Sequence, residues 1–291
     1  MSDARVEGPD RSFCAIDAER AGEPLAGSAA FAETWLFVEE RGPWEAKKLL
    51  ASPGLAPLAE MVAEWQAALG GARLQLLRRP AATRRAEAGA ARRVLVARPR
   101  ARRAAWFSLR GDASDRTLPA RFEAGEGTPL VGTTLFVCTH GKRDRCCSKF
   151  GVRLVAAAEK AGGEVWETSH LGGHRFAATT LRLSDGPGNG DCHGRVLPED
   201  VPALLAGAPV LDRLRGHVGL PGPAQAAAIA LRRARIEPGA FEGAEGELVR
   251  FAGGSARVRR SAPGPARLKT CFGEPEPFEA LEAELLPGGG A

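Results

Sequence analysis

The sequence predicts an α/β fold in two sheet-forming halves, followed by a short α+β extension. Three observations carry this expectation. Short apolar runs bounded by turn residues, TWLFVE at 34–39 and TLFVC at 134–138, have the length of buried strands. Each run is followed by a stretch with helical spacing and then by further strand-like runs, the order of an open α/β sheet. A segment rich in turn formers, GDASDRTLPARFEAGEGTPL at 111–130, separates the two stretches. The halves are placed at 1–128 and 129–215, and the extension at 216–291.

Residues 1–30 are polar and punctuated by Gly and Pro, so an irregular lead-in is expected. The run 34–39 reads as a strand, with Gly42-Pro43-Trp44 as the turn leaving it. Leu55, Leu58, Met61, Val62, Trp65 and Leu69 recur at helical spacing, and Gly70-Gly71 ends that helix. Strands are expected at 74–77, 94–97 and 105–109, with a loop at 81–91 between the first two. This β-α-β-β order is thioredoxin-like in outline. The first half reads as a degenerate copy of the second, with TWLFVEERGPW standing where TLFVCTHGKRD stands later and no Cys or His at the matching places. In the second half, Leu135-Phe136-Val137 forms a strand that ends in Cys138. Val152, Leu154, Val155, Ala158 and Ala161 make a helical stripe. Strands follow at 164–167 and 177–183, then a turn at 185–190. Helices are expected at 199–205, 210–214 and 223–235, strands at 248–251 and 256–259, and a short acidic helix at 277–286 before a Gly-rich tail.

Composition narrows the function. The chain has 291 residues, 44% hydrophobic and 26% charged, which is ordinary for a globular protein. No apolar run approaches the roughly 20 residues of a membrane span, and MSDARVEGPDR lacks the features of a secretory signal. A cytoplasmic protein is expected. The net charge of +5 is small for this length, and the abundance of Arg, Ala, Gly and Pro fits a coding bias, so nucleic-acid binding does not follow. Arginines crowd 73–103, where Glu87 is the one acid; they make either a docking face for an acidic redox partner or solvated strand edges. Six cysteines are too few for a disulfide scaffold in a chain this long and point to metal or redox chemistry.

That chemistry gathers between 134 and 176. Cys138 ends a strand, and the loop THGKRDR leads to the vicinal pair Cys146-Cys147. The next strand is followed by His170-Leu-Gly-Gly-His174. In an open α/β sheet, neighbouring strands project their following loops to one edge, which would bring two thiols and two imidazoles together. Two Cys and two His can hold Zn²⁺ or one [2Fe–2S] cluster. The spacing C-x8-C then H-x3-H is neither that of most zinc fingers nor that of a Rieske centre, and the long first loop suits the wider cluster better.

The stretches VCTHGKRDRCC and TSHLGGHRFAATTL, with AGSAAFAETWLFVEERGPW, RVLPEDVPALL, GLPGPAQAAAIALR and CFGEPEP, resemble the sucrase/ferredoxin-like family over nearly the whole chain. The resemblance implies that the second half is a thioredoxin-like ferredoxin. It also implies a bis-histidinyl, non-Rieske [2Fe–2S] cluster held by Cys138, Cys147, His170 and His174. A soluble electron-transfer or redox-sensing protein with proton-coupled redox is therefore expected, rather than a stand-alone catalyst. Cys146 is the competing thiol. His140, Arg143 and Asp144 are candidates to surround the ligands, with Arg143 and Asp144 pairing to brace the loop. Gly172 and Gly173 would let backbone approach the cluster closely. Cys14 and Cys271 are read as ordinary structural thiols, Cys192-His193 as peripheral and His217 as structural.

Rival readings are a structural Cys2His2 zinc module and a thiol–disulfide oxidoreductase; the latter lacks C-x-x-C at a helix start. No carboxylate pair stands out to support glycoside hydrolysis. No nucleotide-binding fingerprint, flavin motif or P-loop occurs, so a redox partner must be a separate protein.

Overall fold

The computed structural model describes residues 13–86 and 89–287. A short helix α1 (Cys14–Arg20) precedes the first half, which runs β1 (Trp35–Glu39), α2 (Ala59–Ala68), β2 (Arg73–Arg78), α3 (Ala81–Ala86), β3 (Arg93–Arg98), β4 (Arg103–Ser108), α4 (Leu118–Glu123) and β5 (Thr128–Pro129). The second half runs β6 (Thr133–Cys138), α5 (Arg145–Lys160), β7 (Glu164–Thr168), β8 (Thr180–Ser184), β9 (Asp191–His193) and α6 (Val201–Leu205). Then come β10 (Leu214–His217), α7 (Gly222–Arg233), β11 (Phe241–Glu245), β12 (Leu248–Phe251), β13 (Gly254–Arg260), β14 (Arg267–Leu268), β15 (Pro275–Glu276) and β16 (Leu281–Leu285). The fold is α/β.

Ten strands form one sheet in the order β10-β9-β8-β6-β7-β2-β1-β3-β4-β5. The order is the same on either side of its centre. β1 lies parallel to β2 and antiparallel to β3, which pairs with β4; β6 lies parallel to β7 and antiparallel to β8, which pairs with β9. The halves meet where β2 and β7 pair antiparallel, Leu77 opposite Thr168 and Arg78 opposite Glu167.

Both halves put their helices on one face of this sheet, because alternate residues of a strand point to opposite sides. Leu36 and Val38 meet Trp65 of α2 and Phe122 of α4; Leu135 and Val137 meet Leu154 of α5 and Leu204 of α6. Trp35, Phe37, Phe136 and Trp166 point to the other face. There the sheet curls onto itself. β1 and β6 are three strand spacings apart, about 14 Å in a flat sheet, yet the Phe37 and Phe136 rings stack at 4.7 Å. Trp106 of β4 and Trp166 of β7, four spacings apart, stack at 5.2 Å. Each such aromatic pair contributes about 0.5–1.5 kcal/mol beyond its burial.

α7 packs between the β10 edge and a second, four-stranded antiparallel sheet, β11-β12-β13-β16. Several sequence expectations change here. The lead-in is not irregular throughout: α1 buries Cys14, Ala15 and Ala18 (residues 1–12 lie outside the described residues). The 111–130 segment contains α4, whose Leu118 and Phe122 belong to the first core. Residues 81–86 of the expected loop are helical, while 87–88, including Glu87, lie outside the described residues. The acidic stretch expected as a helix is β16, because alternating Leu281, Ala283 and Leu285 lie against the α7 core. The 210–214 stretch is a single 3₁₀ turn opening into β10, which crosses the expected boundary at 215. Many arginines of 73–103 are neutralised within the fold, Arg78 on Glu167, Arg79 on Glu164, Arg92 on Glu40, Arg93 on Glu39 and Arg98 on Glu123.

Candidate metal centre

β6 and β7 are parallel and in register, with Cys138 opposite Thr168, so the loops that follow both strands leave the sheet at the same rim. After Cys138 the chain turns through 139–144 into α5. Asp144 is the N-cap, its Oδ1 accepting the Cys146 N–H at 2.9 Å, which satisfies one of the first-turn donors. Cys147 then stands in the first turn of α5. The helix comes close to the strand only because residue 151 is glycine: a Cβ there would lie 2.1 Å from the Cys138 carbonyl oxygen.

The donors converge as follows. His170 Nδ1 lies 3.6 Å from Cys147 Sγ and 3.9 Å from Cys138 Sγ, and all three ligand atoms fall within 4.8 Å of one another. His174 stacks on His170 at 5.0 Å, with its Nδ1 3.3 Å from His170 Nε2. His174 Nε2 lies 2.9 Å from the Lys269 carbonyl. A carbonyl can only accept, so Nε2 carries the proton and Nδ1 presents a lone pair. A distal N–H donated to a carbonyl is how ligating histidines are held. The two thiols, His170 and His174 thus form an elongated row.

Sequence reasoning missed what fixes this row. Ser169 ties the His170 loop to β2: its N–H donates to Leu76 O at 2.8 Å, its Oγ accepts from Leu76 N–H at 2.9 Å and donates to Gln75 Oε1 at 2.8 Å. Arg215, 1% exposed, donates through Nη1 to the Gly172 carbonyl at 2.8 Å and through Nε to Ser28 Oγ at 3.0 Å; Nη2 donates to Ser28 O. Gly173 has φ +70, and a Cβ on it would meet Arg215 Nη2 at 2.5 Å, so glycine is required for both reasons. Cys192 is not peripheral: it is buried in the concave core, 3.8 Å from Arg215 Nη1. His193 is fully buried on the opposite face of β9. His217 accepts the Gly219 N–H at Nδ1.

The first half supplies one wall. Trp44, from the turn after β1, meets the His140 ring edge-on at 5.7 Å; Lys142 reaches Glu45 at 2.7 Å. Glu167 accepts from Thr139 Oγ1 at 2.8 Å and from Arg78. His140 is buried beside Cys138 and His170, and neither of its nitrogens makes a well-formed hydrogen bond. Asp144 does not pair with Arg143. Its carboxylate caps α5 and accepts the Cys271 N–H at 3.0 Å. Cys146 points away from His170, and its sulfur lies 3.6 Å from Cys14 and 3.2 Å from Cys271. Cys14 and Cys271 are therefore not scattered structural thiols.

The thiol pair is set for one negative charge. The Cys147 S–H held against Cys138 keeps the Cys138 pKa well below the ordinary thiol value, helped by His170 and the His140 backbone N–H and opposed by burial. The same contact pushes Cys147 well up. Burial lowers the pKa of His174 and of His140, keeping both imidazoles neutral and able to coordinate.

The profile of the sucrase/ferredoxin-like family matches residues 25–214. The chain belongs to that family. The match spans β1 to β9 and all four donors of this family member's row, while Cys14, Cys271 and nearly all of β10 lie outside it. Searches of curated proteins and of solved structures returned no match. Among the described residues no helix is long and apolar enough to cross a membrane.

Proposed function

We propose that the row Cys138–Cys147–His170–His174 holds a [2Fe–2S] cluster, with the thiolates on one iron and the imidazoles on the other, and that the protein transfers single electrons or senses redox state. The elongation of the row carries this reading. Cys138, Cys147 and His170 surround one point, but His174 stands beyond them, so four donors reach a two-metal group more readily than a single ion. The unsatisfied His140 imidazole and the positive-φ Gly172-Gly173 backbone are suited to an anionic group with sulfur acceptors at its edge. When bound, such a cluster supplies one-electron chemistry at a higher potential than an all-thiolate cluster. The chain's own residues keep Cys138 anionic, hold the His174 imidazole neutral and place a proton on its Nε2. Loss of that proton at high pH would lower the potential. The electron partner is proposed to be a separate, acidic protein approaching the arginine-rich 73–103 flank; Arg85, exposed on α3, belongs to that surface.

A specific observation favours a second reading. The Sγ–N spacings of 3.6 and 3.9 Å are close to the edge of about 3.6 Å expected around a single tetrahedral zinc. A Cys2His zinc site is the rival. The deciding experiment is an absorption spectrum of anaerobically purified protein, with iron, sulfide and zinc counted on the same sample. About two irons and two sulfides, bleached by dithionite, support the cluster. Colourless protein with zinc lost on Cys138→Ser, and no cluster after iron–sulfide reconstitution, supports the rival.

A further inference from the structure

Three of the four thiols that the proposed cluster does not use meet elsewhere. Cys14 opens α1, Cys146 stands in the first turn of α5, and Cys271 lies between β14 and β15, yet their sulfurs form a triangle. The Cys14–Cys146 and Cys14–Cys271 distances are 3.6 Å and the Cys146–Cys271 distance is 3.2 Å. The Asp144 carboxylate closes the group, with Oδ1 3.8 Å and Oδ2 4.0 Å from Cys14 Sγ. One ligand atom from each of the four residues lies within 4.8 Å of every other, and all four residues are buried. Phe13, Ala15, Phe150, Ala177 and Leu268 wall the site with apolar surface.

We infer that Cys14, Cys146, Cys271 and Asp144 form a second metal site, separate from the Cys/His row and selective for zinc or a similarly thiophilic divalent cation. Three thiolates and one carboxylate make a closed tetrahedral set. Zinc–sulfur bonds of about 2.3 Å put tetrahedral sulfur–sulfur edges at about 3.8 Å, so the two 3.6 Å edges are nearly right and the 3.2 Å Cys146–Cys271 edge has to open by about 0.6 Å. A disulfide, with sulfurs about 2.05 Å apart, can join only two of the three, whereas an ion engages all of them. The carboxylate is already aimed, because its two oxygens accept the N–H groups of Cys146 and Cys271. Binding would displace the thiol protons to solvent. The resulting negative charge faces the N-terminal end of the 16-residue α5, whose macrodipole favours it.

The site's place in the chain suggests its purpose. Cys14 and Cys271 come from segments 257 residues apart, and both fasten to the turn that presents Cys147. Asp144 Oδ2 is also 3.8 Å from His174 Nε2. The ion would be a structural clasp, fixing the ligand loop of the first centre from behind. This inference does not rest on what the first centre binds.

The test counts metal on the reduced full-length chain after zinc loading and gel filtration. The wild type is expected to keep one zinc per chain beyond whatever the Cys/His row holds. Cys14→Ser and Cys271→Ser should each lose that one ion while iron and sulfide, or the first zinc, persist. Cys138→Ser should do the reverse. Cobalt titration of a Cys138→Ala/His170→Ala chain reads the second site alone and should give a thiolate-to-cobalt charge-transfer band. Should Cys14→Ser not fold, this titration and the wild-type count still decide. Zinc retained by a folded Cys14→Ser chain, absence of the cobalt band, or a disulfide among the three cysteines in protein kept from oxidants would each overturn the site.

Discussion

At the scale of single residues, four candidate donors, Cys138, Cys147, His170 and His174, meet at one rim of the sheet. Their residue types draw attention to them in the sequence, because Cys and His are common transition-metal ligands and C-x8-C then H-x3-H is an unusual spacing. The resemblance favours Cys147 over Cys146, and α5 turns the two thiols toward different neighbours. Arg215 could not be found at all, since nothing in RLRGH distinguishes it from the other basic residues of an arginine-rich chain. Its burial and its donation to the Gly172 carbonyl make it the residue that shapes the HLGGH turn. Arg215→Lys keeps a charge but cannot reach Gly172, Ser28 and Ser28 Oγ together. Each orphaned buried carbonyl costs about 1–3 kcal/mol. The variant should melt earlier and release its metal on gel filtration, whereas a variant at exposed Arg257 should do neither. Unchanged metal retention in Arg215→Lys would show that the turn holds itself.

At the scale of elements, strands and helices with clear apolar patterns were predicted within a few residues; the misses have physical causes. β16 alternates Leu, Glu, Ala, Glu and Leu, and its charge suggested a solvated helix, but pairing with β13 and burial against α7 decide for a strand. β9 is only three residues long and its Cys-His pair reads as peripheral in the sequence, yet both side chains are buried and the strand pairs on either side. α1 is too short to show periodicity and exists through its contacts with the turn at His174–Phe176 and with β14. The close approach of α5 to β6 rests on Gly151. In an ordinary helix interior Gly→Ala stabilises by about 1 kcal/mol. Here Gly151→Ala drives a Cβ into the Cys138 carbonyl, and the forced shift should outweigh that gain, giving a net loss of about 1–3 kcal/mol. Denaturant unfolding measures the loss. The same shift moves Cys147 from Cys138, so metal content should fall with stability; a more stable Gly151→Ala protein would rule out the tight contact.

At the scale of the whole molecule, the two halves repeat one strand order, and the half without ligands is more than ballast. Its β2 anchors Ser169 and its turn places Trp44 on His140, so the site is completed across the seam between halves. The resemblance of TWLFVEERGPW to TLFVCTHGKRD exposed the repeat, but an edge-to-edge join through β2 and β7 has no local sequence signal. The buried histidines make this assembly acid-sensitive. Burial pushes the His193 pKa down to about 4, with Asp191 and Asp200 opposing and Arg182 and Arg232 assisting. Above its ordinary value of about 6.5, the folded and unfolded chains are both neutral there. Between that value and about 4 the unfolded chain binds a proton that the folded one refuses. Stability therefore falls as pH drops, by at most about 3 kcal/mol from this residue. His193→Phe should flatten the decline between about pH 6.5 and 4 in urea unfolding; an equally steep profile would assign the acid sensitivity to other groups. His140, His174 and His217 are pushed down by burial as well and would add to it.

The meeting of α1 with the Arg267–Cys271 segment also sets how the molecule bears load. Glu23 grips both Arg175 and Arg267, Asp17 accepts the Leu268 N–H, and Asp144 accepts the Cys271 N–H. Tension applied between residues 14 and 271 crosses this short bridge and leaves the ten-stranded sheet slack. The fold would yield first by shearing α1 from the 267–271 segment, exposing the Lys269 carbonyl's partner His174 before any central strand gives way. Pulling would thus unlatch the candidate metal centre while the sheet is still intact.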